Sequence, residues 1–73
     1  MKFSEALKHM KKGKKAKLPS WEGYWTWEFD DVIGTDTIVM YLKDGQVLDI
    51  RNTTDLEFTI ENILSNQWLI IEE

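Results

Sequence analysis

Cysteine is absent from this chain, and histidine and proline each occur once. Without cysteine there are no disulfides to brace a small fold, and with one histidine there is no Cys/His cluster to hold a structural metal. Long apolar runs are also missing. No segment approaches the ~20 apolar residues of a membrane span, and the N-terminus has lysines but no apolar stretch of signal-peptide length. Together these absences predict a chain that sits in a reducing cytoplasm and does not enter a membrane. Positive charge is scarce beyond residue 17. Seven of the nine basic residues lie in positions 2–17 against the single acid Glu5, a local charge of +6. Residues 18–73 carry only Lys43 and Arg51 against twelve acids, a charge of −10. The acidic total of −4 argues against nucleic acid as a partner, because such binding usually comes with a basic domain. The polarity itself suits an anion site, a complementary patch in an oligomer, or a solvated lysine face.

Catalytic chemistry is equally sparse. There is no cysteine nucleophile, and His9 stands on a lysine-rich segment with no carboxylate to orient it. Asp30, Asp31 and Asp36 do not have the spacing of a calcium loop, and neither a P-loop nor a Gly-x-Gly-x-x-Gly fingerprint occurs. The reading is a protein that is not an enzyme, with no catalytic residues, no metal and no cofactor.

What the chain has in quantity is tryptophan: four in 73 residues. A domain of this length buries only about 60% of its unfolded surface. A dense aromatic core and self-association are the remaining ways to stabilise it. One domain over 1–73, forming a homo-oligomer, is the expectation.

The elements follow from periodicity. Phe3, Ala6, Leu7 and Met10 recur at helical spacing opposite the lysines, predicting a helix over about 4–12, capped by Ser4 and closed by Gly13. Residues 14–18 suit a short strand, and Pro19, Ser20 and Gly23 a turn. Tyr24–Phe29 alternates as a strand, with Trp25, Trp27 and Phe29 on one face and Thr26 and Glu28 on the other. Thr37–Leu42 places Ile38, Met40 and Leu42 on one face. Lys43–Gln46 reads as a tight hairpin with a primed Asp-Gly turn, returning through Val47–Ile50. After the polar loop 52–55, Thr59 is expected to cap a short helix over 60–65 with Ile63 and Leu64 inward. Gln67–Glu72 is the final strand, with Trp68 and Ile70 facing one way. The predicted class is α+β: an N-terminal helix on an antiparallel sheet of four or five strands, with a second short helix before the last strand.

Binding chemistry is concentrated near the junction of the lysines and the aromatics. Trp21 lies in the loop Pro-Ser-Trp-Glu-Gly, where it either plugs a core edge or stacks on a base. Trp25, Trp27 and Trp68 are read as core. Lys14 and Arg51 are candidates for phosphate contact, and Asn52 and Thr54 for ribose hydroxyls; the alternative for the 51–54 run is ordinary turn chemistry.

Two segments carry a family resemblance. Residues 3–23 (Phe-Ser-Glu-Ala-Leu-Lys-His-Met-Lys-Lys-Gly-Lys-Lys-Ala-Lys-Leu-Pro-Ser-Trp-Glu-Gly) resemble the N-terminal signature of phage Thoeris anti-defence proteins of the second type. There, Phe-x-Glu-Ala-Leu opens a helix, Gly-Lys-Lys closes it and Trp-x-Gly follows. Residues 59–68 (Thr-Ile-Glu-Asn-Ile-Leu-Ser-Asn-Gln-Trp) resemble that family's closing Thr-x-Glu-Asp-Leu-Leu-Ala-x-Asp-Trp. The chain departs from the pattern at Lys17, often Arg in the family, and at Asn62 and Gln67, both Asp there; its middle does not align. The resemblance implies a sponge that binds cyclic ADP-ribose isomers or cyclic dinucleotides without cleaving them and so blocks bacterial immunity from within the host cytoplasm. It further implies a homo-oligomer, commonly a tetramer or else a dimer, with pockets between subunits. On the matching motif it assigns base stacking to Trp21 and phosphate contact to Lys17. A relative assigned to inhibition of type II CRISPR nucleases supplies the alternative of a protein–protein inhibitor, and a structural oligomer with decayed ligand sites is the third.

Overall fold

A computed structural model describes residues 1–72. Helix α1 spans Phe3–Met10. Its inward face is Ala6 and Met10, as the 3.6-residue period requires. The expected Ser4 cap is not formed. Lys2 occupies the cap position in an extended conformation, without a side-chain hydrogen bond. Its carbonyl accepts from the Glu5 and Ala6 N–H groups, both at 3.1 Å. The helix ends in a Schellman arrangement: the Lys14 N–H reaches the His9 carbonyl (3.2 Å), and the Gly13 N–H reaches that of Met10 (2.9 Å). Gly13 at φ +95° supplies the left-handed residue this needs.

Five strands follow: β1 Lys15–Lys17, β2 Tyr24–Asp30, β3 Thr35–Tyr41, β4 Val47–Asp49 and β5 Leu69–Ile71. They form one antiparallel sheet in the order β4-β3-β2-β1-β5. The β2–β3 ladder runs from Tyr24↔Tyr41 to Asp30↔Thr35 and is the backbone of the fold. The hairpin at 43–46 does not use a primed turn. Among the described residues none other than glycine has positive φ, so Asp44 does not hold the left-handed position that a primed Asp-Gly turn demands. Instead the Gly45 N–H bonds the Leu42 carbonyl, the Leu42 N–H bonds that of Gln46, and Gly45 alone is left-handed, a three-residue loop with a bulge. The return strand stops at Asp49. Residues Ile50–Asn52 form one 3-10 turn, with the Asp49 carboxylate accepting from the Arg51 N–H.

Helix α2 spans Leu56–Leu64, four residues earlier at its start than expected. Asp55, rather than Thr59, is its cap, accepting from the Phe58 N–H at 3.0 Å. The Thr59 hydroxyl instead turns back to the Asp55 carbonyl (2.9 Å).

The core is Ala6, Met10, Ala16, Trp25, Met40 and Trp68. Both helices pack on the sheet face that carries Ala16, Trp25 and Met40. Trp68 is the centre. Its ring lies 5.0 Å from Phe3, 5.1 Å from Trp25 and 5.4 Å from Trp21, and its indole N–H donates to the Asn62 carbonyl (2.9 Å). Trp27 packs against this cluster from its rim, under a lysine, Lys11, 4.9 Å above its ring. Phe29 shares their face but extends past the helices and is exposed. The opposite sheet face carries Tyr24 stacked on Tyr41 (5.0 Å) and Glu28, which accepts from the Tyr41 and Thr26 hydroxyls. That carboxylate holds the Tyr41 phenol above its ordinary pKa. No helix among the described residues is long and apolar enough to cross a membrane.

Candidate functional site

Helix α2 is amphipathic the wrong way round for a core helix. It turns Thr59 and Asn62 inward, both buried, and leaves Leu56 (64%), Ile60 (44%) and Leu64 (77%) exposed. Ile63 packs inward as its spacing predicts, whereas Leu64 does not. The inner face fails to meet the sheet tightly, and a cleft of about 760 Å³ lies between them. That volume is within the range of small-molecule sites. Its walls come from α2, the loop 20–23, the β3–β4 hairpin and the loop 52–55.

Local chemistry explains each wall. Leu18-Pro19-Ser20-Trp21 is a turn closed by the Trp21 N–H on the Leu18 carbonyl (3.0 Å), with proline at the position where its fixed φ is favoured. The turn delivers the half-buried Trp21 ring against Trp25 (5.4 Å) and leaves part of it on the cleft. Trp21 thus plugs the core edge, the first of the two uses open to it in the sequence, and also borders the cavity. Trp25 and Met40 form the floor, and Phe58 from α2 lies opposite. Asn52, which ends the 3-10 turn, and Thr53 and Thr54 after it line one end. The Thr53 and Thr59 hydroxyls meet at 3.3 Å. One polar atom in this region is unmatched: the Nδ2 of Asn62 is buried and has no hydrogen-bond partner.

The structure thus brings together Trp21, Asn52 and Thr54, three of the six residues singled out in the sequence. The three cations lie elsewhere. Lys14 is ion-paired with Glu72 (3.1 Å) and borders a separate hollow of about 310 Å³ beside Lys12, Gly13 and Ile71. Lys17 stands on β1 opposite Leu69. Arg51 is clamped between two carboxylates, with its Nε on Asp49 (2.9 Å) and its Nη2 on Asp30 (2.8 Å). This fork holds both carboxyls below the usual carboxylate range and raises the guanidinium pKa further. With the Thr37 hydroxyl on Asp49 (2.9 Å), it ties the far ends of β2, β3 and β4 together. Among the described residues that line the cleft, the only basic one is Lys43, set against Glu22, Asp44 and Asp55.

Thr59, Asn62 and Phe58 were not among the site residues expected from the sequence. The available signal was two uncharged polar residues three apart, on one face of the segment 56–64. Among the described residues, no group of His, Cys, Asp or Glu side chains is placed to hold a metal ion. No protein-family model matches this sequence, and neither does any curated protein.

Proposed function

We propose that this protein is a non-catalytic binder that sequesters a cyclic nucleotide, of the cyclic ADP-ribose or cyclic dinucleotide kind, in the α2–sheet cleft. The observation that carries the reading is the cleft's composition: flat aromatic walls from Trp21, Trp25 and Phe58, and neutral donors from Asn52, Thr54 and Asn62. Aromatic faces hold bases, while amides and hydroxyls hold ribose and base edges. The likeness of residues 3–23 and 59–68 to second-type Thoeris anti-defence proteins supports the same reading. Isothermal calorimetry with both ligand kinds, at about 50 μM protein as the micromolar affinity scale suggests, tests it. Binding is expected, with Trp21→Ala weakening it about 5- to 150-fold, the equivalent of the ~1–3 kcal/mol of one stacked base. Ligand released by denaturation is expected intact. No heat with any of these nucleotides would remove the proposal.

The phosphates need more positive charge than Lys43 gives the cleft of one chain, where Glu22, Asp44 and Asp55 oppose it. We place them on a second copy. The outward stripe Leu56, Ile60 and Leu64 lies on the helix that walls the cleft and is flanked by Glu57 and Glu61, complementary to the lysine-rich segment 2–17 of another copy. The free chain exposes 5137 Å²; a monomer of this mass exposes roughly 4,700 Å². Light scattering is expected to return a multiple of the 8.7 kDa chain mass. The double variant Leu56→Lys/Leu64→Lys is expected to return the single-chain mass while keeping its circular dichroism. Wild-type protein that is monomeric at all concentrations would refute the assembly.

A protein–protein inhibitor, the second reading, is favoured by the β2–β3 tip, where Phe29, Val32 and Ile33 are exposed beside Asp31. In that case the calorimetry stays silent, and the protein captures a macromolecular target such as a CRISPR nuclease instead.

A further inference from the structure

We propose that the Asn62 carboxamide is the recognition group of the cleft, and that it selects a flat, uncharged heterocycle through a hydrogen-bond acceptor on the ring. The proposal rests on reading the cleft as a ligand site and names what enters it first.

Asn62 is only 7% exposed, and its Nδ2 is the one buried side-chain polar atom among the described residues left without a partner. A buried donor without an acceptor destabilises the fold. An amide kept for packing alone would be paired, or replaced by an apolar group of the same size. The residue's main chain is held firmly: its carbonyl accepts from the Trp68 indole N–H (2.9 Å) and from the Ser65 N–H (3.2 Å). Only the side-chain torsions are free, and the last of these is soft. The amide can therefore turn toward an incoming acceptor without moving the helix. Its neighbour Thr59 cannot do this work, because its hydroxyl is already bonded to the Asp55 carbonyl.

Charge sets what the acceptor can be. Glu22, Asp44 and Asp55 around the cleft outnumber Lys43, so a phosphate or carboxylate is repelled from this space. A ring nitrogen or ring carbonyl is not. The walls provided by Trp21, Trp25 and Phe58 suit a planar ring. A purine-like base, entering ring first with its anionic part left outside the cleft, meets all three conditions.

The test uses the full chain, with adenosine, inosine and indole as probes. Indole is flat and carries no hydrogen-bond acceptor. Proton–nitrogen NMR spectra are expected to show a nucleoside shifting the Asn62 side-chain amide pair and the Trp21 and Trp25 indole signals. Asn62→Leu, similar in size and apolar, is expected to weaken the nucleoside about tenfold or more and to leave indole binding unchanged. Asn62→Asp, which loses the donor and adds charge, is expected to weaken the nucleoside at least as much. Asn62→Leu is also expected to melt at or above the wild-type temperature, whereas a purely structural asparagine would leave the variant less stable. Equal nucleoside affinity in Asn62→Leu, or no shift with either nucleoside, overturns the proposal. Nucleoside binding that depends on Asn62, alongside silent calorimetry with the cyclic nucleotides, would overturn sequestration and leave this recognition standing.

Discussion

Replacing Trp68 with alanine is expected to leave much of the chain unfolded in water. The ring is fully buried and touches Phe3, Trp21 and Trp25, so one substitution opens a void at the meeting point of α1, α2 and the sheet. Large aromatic-to-alanine changes in cores cost about 3–5 kcal/mol. The total stability of a 73-residue domain is roughly 4–11 kcal/mol. The change therefore removes most of the lower end of that range. The bonds that pin Met1, its ammonium on the Trp68 carbonyl and its carbonyl on the Trp68 N–H, both at 3.0 Å, are main-chain bonds that alanine retains, so the loss is that of the ring. Urea unfolding followed by circular dichroism measures the effect. Trp68→Phe separates its two parts: the ring is largely kept and the bond to the Asn62 carbonyl is lost, for about 1–3 kcal/mol. An alanine variant within about 1 kcal/mol of wild type would mean that the core is not centred on Trp68; that is less than any core truncation of this size costs.

Trp68 was legible in the sequence because burial and periodicity agreed there, as they did for Trp25, Met40 and Ile70. The α+β class, the antiparallel sheet and the position of β2 and β3 follow from the same alternation. Helix α2 shows where that logic stops. Placing Leu64 inward assumes that an apolar side chain on a helix seeks the core. Here the inward direction opens on a cleft, so Thr59 and Asn62 take it and the leucines face out. The helix start moved for a related reason. Asp55 and Thr59 are both competent caps by residue type, and the difference is decided by the 3-10 turn at 50–52, which a four-residue polar loop does not announce.

The site was half legible. Trp21, Asn52 and Thr54 converge because loops, which carry side chains free of strand alternation, meet at one end of the sheet. The cations could not be placed the same way. A sequence reports that Arg51 is a donor but not that Asp30, twenty-one residues earlier, lies across β3 and captures it. Lys14 is likewise held by Glu72, at the far end of the chain. Both pairings are long-range consequences of the strand order, invisible until the sheet is assembled.

Gly23→Ala is the second substitution expected to act strongly, and it links the sheet to the cleft. A methyl group at residue 23 would lie 2.1 Å from the Tyr41 carbonyl oxygen, 3.1 Å from its carbon and 3.2 Å from the Leu42 Cα. All three are backbone atoms at the end of β3, so no rotamer change can make room. Either β2 and β3 part at the Tyr24↔Tyr41 pair or the loop 20–23 shifts away. Overpacking of this kind costs typically 1–3 kcal/mol, and a clash against backbone belongs at the upper end or beyond, about 3 kcal/mol or more. Gly45→Ala is the control. Its Cβ would meet open space, and only its φ of +88° opposes the change, for about 1–2 kcal/mol. Urea midpoints are expected in the order wild type, Gly45→Ala, Gly23→Ala. Gly23 and Trp21 share one short loop and both line the cleft. The Gly23 variant is therefore also expected to shift tryptophan emission in the folded state and to weaken any ligand that binds there, whereas the Gly45 variant leaves both nearly unchanged. A Gly23→Ala protein as stable as wild type would contradict the close approach of this loop to β3, and with it the shape of the cleft.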